Sequence, residues 1–226
     1  MSKKRTSKKQ TRKVPRKIQR KPREAKVGEY LGLEYESFCE LSLLFFAEEL
    51  MKLGYVQKVE RPPSHSLCEP IQSSYAIQLK KASKQETQII QQGVTYTADF
   101  DIYFTEKAVG VFCWVLGSGT KWNKNLLVAQ RVPYVGLPSQ YVPTPAIYKA
   151  CCEVKPDFSR NSTTPKSMLT MKWLYQKHGI FVNLFRPNRI FEGLFVPEKY
   201  RLTERGTPRI LKFRPKTLQE YLKSVK

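Results

Sequence analysis

Acidic residues embedded in two strongly β-forming stretches constrain this chain more than any other feature. The first, VTYTADFDIYF at 94–104, alternates β-branched and aromatic residues with polar ones and contains Asp99 and Asp101. The second, at 147–155, ends in Cys152-Glu153-Val154-Lys155 and is stopped by Pro156. Alternate residues of a strand share a face. Glu153 and Lys155 therefore project together, as do Asp99 and Asp101, while Cys152 and Val154 face the other way. Asp is disfavoured inside strands, and a half-buried carboxylate needs a partner or a metal. Two acids and a lysine on neighbouring strands can hold a divalent cation against a phosphodiester and activate a water beside it. The plain alternative is a solvated strand end, with one of the two aspartates paired to a lysine.

Charge points the same way. Of the 226 residues, 40 are Lys or Arg and 19 are Asp or Glu, a net charge of +21, which favours a polyanionic partner such as nucleic acid. Residues 1–26 hold thirteen Lys or Arg and a single acid, Glu24. With almost no apolar content, residues 1–28 cannot offset their ordering entropy and are expected to form a disordered basic arm. Lys3, Lys4 and Arg5 are its candidate phosphate contacts; nuclear import and solubility are the other uses of such an arm. Five cysteines without C-x-x-C spacing, beside only two histidines, argue against a structural zinc site. Cys151 and Cys152 read as small packing residues on opposite faces of one strand. No apolar run is long enough to span a membrane and the charged start is no signal peptide, so no membrane partner is expected. The expected setting is a reducing cell interior or a virus particle.

Apolar periodicity predicts a helix over 34–53, with Phe38, Leu41, Phe45, Leu50 and Leu53 at helical spacing and Gly54 as its stop. Strands are expected at 55–60, 71–80, 87–91, 94–104 and 109–116, the last as a hairpin partner of the one before it. Gly and Pro crowd 117–146, which reads as a long insertion carrying Lys121, Trp122 and Lys124. A strand at 147–155, a helix at 165–178 ended by Gly179 and a buried strand at 180–185 follow. Beyond it, short strands at 190–195 and 209–213 and a small helix at 217–223 read as a basic extension, 187–226, added to a core of 29–186. The whole describes an α/β protein with a central mixed β-sheet flanked by helices.

In order, these elements are a helix with Glu40, a strand with Asp99, a strand with Glu153-Val154-Lys155, a helix and a strand. That order resembles the PD-(D/E)XK nuclease superfamily, and more closely its small phage-type and Holliday-junction-resolvase-like members. Ser37-Phe-Cys-Glu40, Tyr96-Thr-Ala-Asp99-Phe100 and Glu153-Val154-Lys155 match its motifs, and Lys172 falls at its basic helix position. Endonucleases that cut transposon ends share the Asp-Phe and Glu-Val-Lys-Pro strands. Ala98 stands where Pro is usual, and some forty-five residues separate Phe104 from Cys151 where the compact family has a short hairpin. The resemblance implies a restriction-endonuclease-like core and Mg²⁺, with Mn²⁺ as a substitute, held by Asp99, Glu153 and the Val154 carbonyl. Glu40 would bind a second metal or orient its water, Lys155 would serve the attacking water, and Lys172 would contact the phosphate. It also implies DNA as partner, a homodimer on branched DNA, and a phage-encoded protein acting in the host cytoplasm.

Two other readings compete with a metal-dependent DNA endonuclease. One is a non-catalytic nucleic-acid-binding protein using the arm and the Trp114, Trp122, Tyr134 and Tyr141 segment, with a merely structural acidic cluster. The other is a virion or packaging protein whose arm neutralises a genome.

Overall fold

The computed structural model describes residues 27–78, 82–132, 146–156, 164–203 and 206–225. Most of the predicted basic arm, with Lys3, Lys4 and Arg5, lies outside them, as do Tyr134 and Tyr141. In chain order, β1 (Gly28–Tyr30) and β2 (Leu33–Tyr35) form a hairpin leading into α1 (Phe38–Lys52). Then come β3 (Val56–Glu60), β4 (His65–Cys68), β5 (Ile71–Gln78), β6 (Ser83–Gln91), β7 (Val94–Tyr96) and β8 (Phe100–Thr105). They are followed by β9 (Cys113–Val115), β10 (Leu127–Val132), β11 (Ile147–Val154), α2 (Pro165–His178) and β12 (Val182–Phe185). Three helices close the chain: α3 (Pro187–Gly193), α4 (Glu198–Arg201) and α5 (Leu218–Val225).

Six strands form the central mixed sheet in the order β3-β8-β11-β10-β9, with β12 also on β11. β8 lies antiparallel between β3 and β11, whereas β12 runs parallel to β11. One edge of β11 is thus shared: β10 pairs its residues 147–149 and β12 pairs 151–154. Asn183 bridges the change of partner. Its buried Oδ1 accepts from Val128 N at 2.7 Å, and its Nδ2 donates to the carbonyls of Val128 (2.8 Å) and Cys151 (3.0 Å). One side-chain amide therefore meets three backbone groups where the two ladders adjoin.

The main core lies on one face of this sheet. Phe100, Ile102 and Phe104 of β8 and Ala150, Cys152 and Val154 of β11 meet Leu43, Leu44, Phe46 and Leu50 of α1. α1 is enclosed on several sides, because Phe45 meets Tyr30 of the β1–β2 hairpin while Phe46 stacks on Phe195 at 5.1 Å. Its buried apolar positions are consequently 43, 44, 46, 47 and 50, beside the buried polar Glu40 and Ser42, and the expected stripe through Phe38, Leu41 and Phe45 is only half-covered. The helix begins at Ser37 rather than near residue 34, since 28–35 is spent on the hairpin. It ends in a Schellman motif: Tyr55 N donates to Leu50 O, Gly54 N donates to Met51 O, and Gly54 takes φ +71°. A second, smaller cluster of Leu67, Ala98, Cys151, Leu174 and Val182 seats α2 on the opposite face, so Cys151 and Cys152 do pack on opposite sides.

Several expected elements differ. Residues 94–104 are two strands, with β7 pairing β4 and β8 entering the central sheet. β9 is not the hairpin partner of β8; it lies parallel to β10 at the far edge. The expected insertion at 117–146 supplies β10, whose Leu127, Val128 and Ala129 are buried. The strand expected at 190–195 is largely α3, started by Pro187 at its first turn, and no strand forms at 209–213. The segment after 186 packs Phe191, Leu194, Phe195, Val196, Tyr200, Leu218 and Tyr221 into the main core. No described helix is long and apolar enough to cross a membrane.

Replacing Asn183 with Leu leaves one buried N–H and two carbonyls without their partner, each worth about 1–3 kcal/mol. Urea unfolding followed by circular dichroism is expected to show a loss of at least ~2 kcal/mol, against less than ~1 kcal/mol for the exposed Asn123→Ala.

Candidate functional site

Asp99 occupies the corner at which the chain leaves β7 and enters β8, and β11 fixes it twice. Its backbone N–H donates to Cys152 O at 3.1 Å, and its Oδ2 accepts from Val154 N at 2.6 Å. On β11, Glu153 Oε2 accepts from the Tyr96 hydroxyl at 2.9 Å, and Glu153 Oε1 lies 2.5 Å from Lys155 Nζ. The strand geometry that sends Glu153 and Lys155 to one side makes this pair, and Lys155 N continues the parallel ladder to Phe185 O at 2.9 Å. Val154 enters the site through its N–H; its side chain belongs to the core.

Asp99 precedes the first residue of β8, so the two aspartates expected within one strand are divided between the corner and the strand. Asp101 is the lysine-paired strand aspartate: 1% exposed, it lies opposite Cys151 with Oδ2 3.1 Å from Lys149 Nζ.

Glu40 sits at the third position of α1, one turn from Ser37. Ser37 Oγ accepts from Glu40 N at 3.2 Å and donates to Glu40 Oε1 at 3.1 Å, while Glu40 Oε2 accepts from Glu36 N at 3.2 Å. Ser37-x-x-Glu40 is thus a reciprocal helix cap of the Ser-x-x-Glu type. Arg61 ties this cap to the corner. Its guanidinium donates to Asp99 O (2.9 Å), Glu34 O (2.6 Å) and Glu40 Oε2 (3.2 Å), and lies 4.2 Å over the Phe100 ring. Arg61 and the hydroxyl of Tyr96 are the members that the charge pattern did not single out. Tyr96 was marked only as the opening residue of the Tyr96-Thr-Ala-Asp99-Phe100 motif, and Arg61 only by its position after β3 and before Pro62-Pro63.

The electrostatics bring the predicted group together. Burial first, then the negative charge of Glu153 and, further down, that of Glu40 push the Asp99 carboxyl up to about 6; the Val154 N–H and Lys155 act in the opposite sense. Tyr96 is also held well above its ordinary range by burial and by Glu153. Glu40 from α1 and Glu153 and Lys155 from the end of β11 thus all act on Asp99 at the β7–β8 corner. The nucleic-acid candidates among the described residues are surface lysines. Lys172 is exposed on α2, and Lys121 and Lys124 are exposed in the β9–β10 connection, at the sheet edge opposite β3.

For a metal, the donor chemistry fits in part. Asp99 and Glu153 are hard oxygen donors whose mutual repulsion a divalent cation relieves. As the side chains lie, however, no group of three or more His, Cys, Asp or Glu among the described residues is arranged to hold an ion. Both oxygens of Glu40 are engaged by the cap and Arg61, and both oxygens of Glu153 by Tyr96 and Lys155. Asp99 with Glu153 is the pair that fits, once Lys155 releases Oε1.

Among known proteins, no family model, no curated protein and no solved structure matches this chain.

A carboxyl raised from 3.8 to about 6 binds its proton more tightly folded than unfolded, so its contribution to stability is full at low pH and lost as pH rises. Without divalent cations, the difference in melting temperature between Asp99→Asn and wild type should shift in favour of the variant between pH 4 and pH 6.5. Differential scanning fluorimetry across that range checks the sign. A difference that is flat with pH would mean that Asp99 titrates normally.

Proposed function

We propose that the protein is a divalent-metal-dependent nuclease that hydrolyses DNA phosphodiesters. The observation that carries this reading is the placing of Asp99 and Glu153, two carboxylates at adjacent strand ends, so that the charge of Glu153 helps burial to raise the Asp99 carboxyl, with Lys155 alongside. Such a juxtaposition is costly without a cation, and costly titratable groups cluster where chemistry is done. The order α1-β3-β8-β11-α2-β12 supports it, because it is the helix and strand order of the PD-(D/E)XK resemblance. The net charge of +21 supplies the attraction for a polyanionic substrate.

In this reading Asp99 and Glu153 hold Mg²⁺ or Mn²⁺, which supplies a more acidic water and Lewis-acid stabilisation of the phosphate. Lys155, released from Glu153, places its ammonium against the charge that develops on the non-bridging oxygens. The Val154 N–H holds Asp99 Oδ2, leaving Oδ1 to the site. Arg61 holds the Asp99 backbone and the Glu40 carboxylate in fixed relation. Water oxygen bonds to phosphorus and gives up a proton to solvent, the bond to the 3′-oxygen breaks, and that oxygen takes up a proton from solvent. The products carry 5′-phosphate and 3′-hydroxyl ends. A junction, flap, nick or plain duplex can each present such a bond, and a homodimer would suit a branched one.

One observation favours a second reading. Every carboxylate of the group already has a donor within the chain, as befits a structural cluster in a non-catalytic DNA-binding protein.

Labelled four-way junction and matched linear duplex, incubated with Mg²⁺, separate the two. Wild type is expected to cut, and Asp99→Ala and Lys155→Ala to lose ~10²-fold or more in rate while still binding. Binding without cutting, in Mn²⁺ as well as Mg²⁺, leaves the second reading standing. Independently, Mn²⁺ is expected to raise the melting temperature of wild type above pH 7 by several degrees, and not that of Asp99→Ala/Glu153→Gln.

A further inference from the structure

Between β3 and β8 the chain makes an excursion that belongs to no part of the central sheet. β4 and β7 pair at its neck, and β5 and β6 form an antiparallel ribbon paired from Ile71↔Gln91 to Gln78↔Ser83. Eight residues of strand make the ribbon about 27 Å long. Among the described residues it pairs with no third strand, and every residue in it is exposed except Ile77 and Glu86, which are half-covered. An isolated two-stranded ribbon with both faces in water buries little, so packing alone does not account for its form.

Its two faces differ in chemistry. On one, Glu86 accepts from Lys84 at 3.1 Å and from the Tyr75 hydroxyl at 3.4 Å, so the charges are spent locally. The other carries no charged residue. Opposed pairs there present Gln72, Ser74 and Gln78 from β5 beside Ser83, Gln85 and Thr87 from β6, with Ala76 and Ile89 the apolar positions. Ser74 and Thr87 hydroxyls meet at 3.3 Å across the ribbon. Amide and hydroxyl side chains offer donors and acceptors without a fixed charge to desolvate. A second copy of the chain would want an apolar patch, and the exposed Ile71 and Tyr75 lie on the other face of the ribbon.

We propose that the β5–β6 ribbon is a base-reading arm whose uncharged face enters the major groove of duplex DNA. The groove is about 12 Å wide and admits a two-stranded β-ribbon, and a glutamine amide pairs in two-point fashion with adenine N6 and N7. The chain's charge of +21 brings the duplex in, while an uncharged face distinguishes one base pair from another. The arm is anchored where chemistry would occur. β7 ends at Tyr96, which bonds Glu153, and β4 receives His178 of α2 on Ser66 O at 2.8 Å. A duplex seated at Asp99 and Glu153 is therefore met by the arm that springs from the same corner. The inference rests on the reading of DNA as ligand, not on cleavage.

The test uses the full chain with EDTA, so that nothing is cut, on a library of linear duplexes. The readouts are dimethyl sulfate protection of guanine N7, which lies in the major groove, and the affinity ratio between the best and poorest sequences. Wild type is expected to protect a short run of guanines and to prefer adenine-containing steps. The triple variant Gln72→Ala/Gln78→Ala/Gln85→Ala should lose that protection and at least ~10-fold in the ratio, with mixed-sequence affinity within ~3-fold. Gln88→Ala, on the other face, should change neither. The proposal is overturned if wild type binds duplex without major-groove protection, if the triple variant keeps it, or if the triple variant instead turns a dimer into a monomer in sedimentation. Duplex binding and protection without cleavage in Mg²⁺ would remove the nuclease reading and leave the arm. Cleavage without protection would do the reverse, and no binding to any duplex would remove both.

Discussion

The change of partner along one edge of β11 is the constraint on which the rest of this structure depends. A strand flanked first by an antiparallel neighbour and then by a parallel one needs the two ladders joined where they meet, and the side-chain amide of Asn183 bonds both β10 and β11 there. Because β12 can then run beside residues 151–154, Lys155 N reaches Phe185 O and the end of β11 stays regular. Glu153 and Lys155 keep strand geometry to the last residue. Asp99 can then be held from the other side by the Val154 N–H.

The acidic group is notable for how far the chain has already answered its own charges. Tyr96 and Lys155 take the oxygens of Glu153, the helix cap and Arg61 take those of Glu40, and burial with the charges of Glu153 and Glu40 displaces Asp99 toward protonation. The groups that hold Asp99 in place, the Val154 N–H on its carboxylate and Cys152 O on its backbone, are backbone groups that carry no net charge. Arg61 serves both ends, since one guanidinium reaches a carboxylate, two carbonyls and an aromatic face with its planar fork.

Where local chemistry decides an element, the sequence was a good guide. α2 runs from Pro165 to His178 as expected, because Thr164 caps it, Pro165 suits its first turn and Gly179 takes the left-handed conformation at φ +69°. The end of β11 was equally legible, and so was the gathering of Glu40, Asp99, Glu153 and Lys155 around one corner. The corner itself was not. Of 97–99 only Thr97 is a strong β-former, but the run resumes at Phe100, and the break shows only in the pairing with β4 on one side and β11 on the other. Periodicity likewise marks β9 as a strand but cannot name its neighbour, which proved to be β10 rather than β8. Gly and Pro on both sides hid β10, and the apolar run at 190–195 carries no signal separating a buried helix turn from a strand. Glu40 was recognised by its motif, while its cap bonds, which explain that motif in purely conformational terms, needed the backbone of Glu36 to be seen.

Glu60 and Asp101 face each other in the central sheet although the whole β4–β7 excursion intervenes between their strands. Its two ends are clasped by the His65↔Tyr96 pairing, so the excursion begins and finishes at one point. Closing a loop costs only about 0.6 kcal/mol more for each doubling of its length. Such a clasped segment can be lengthened, shortened or exchanged during evolution with little strain on the sheet that holds the acidic corner. In this architecture, what the protein grips and what it does to it are free to diversify separately.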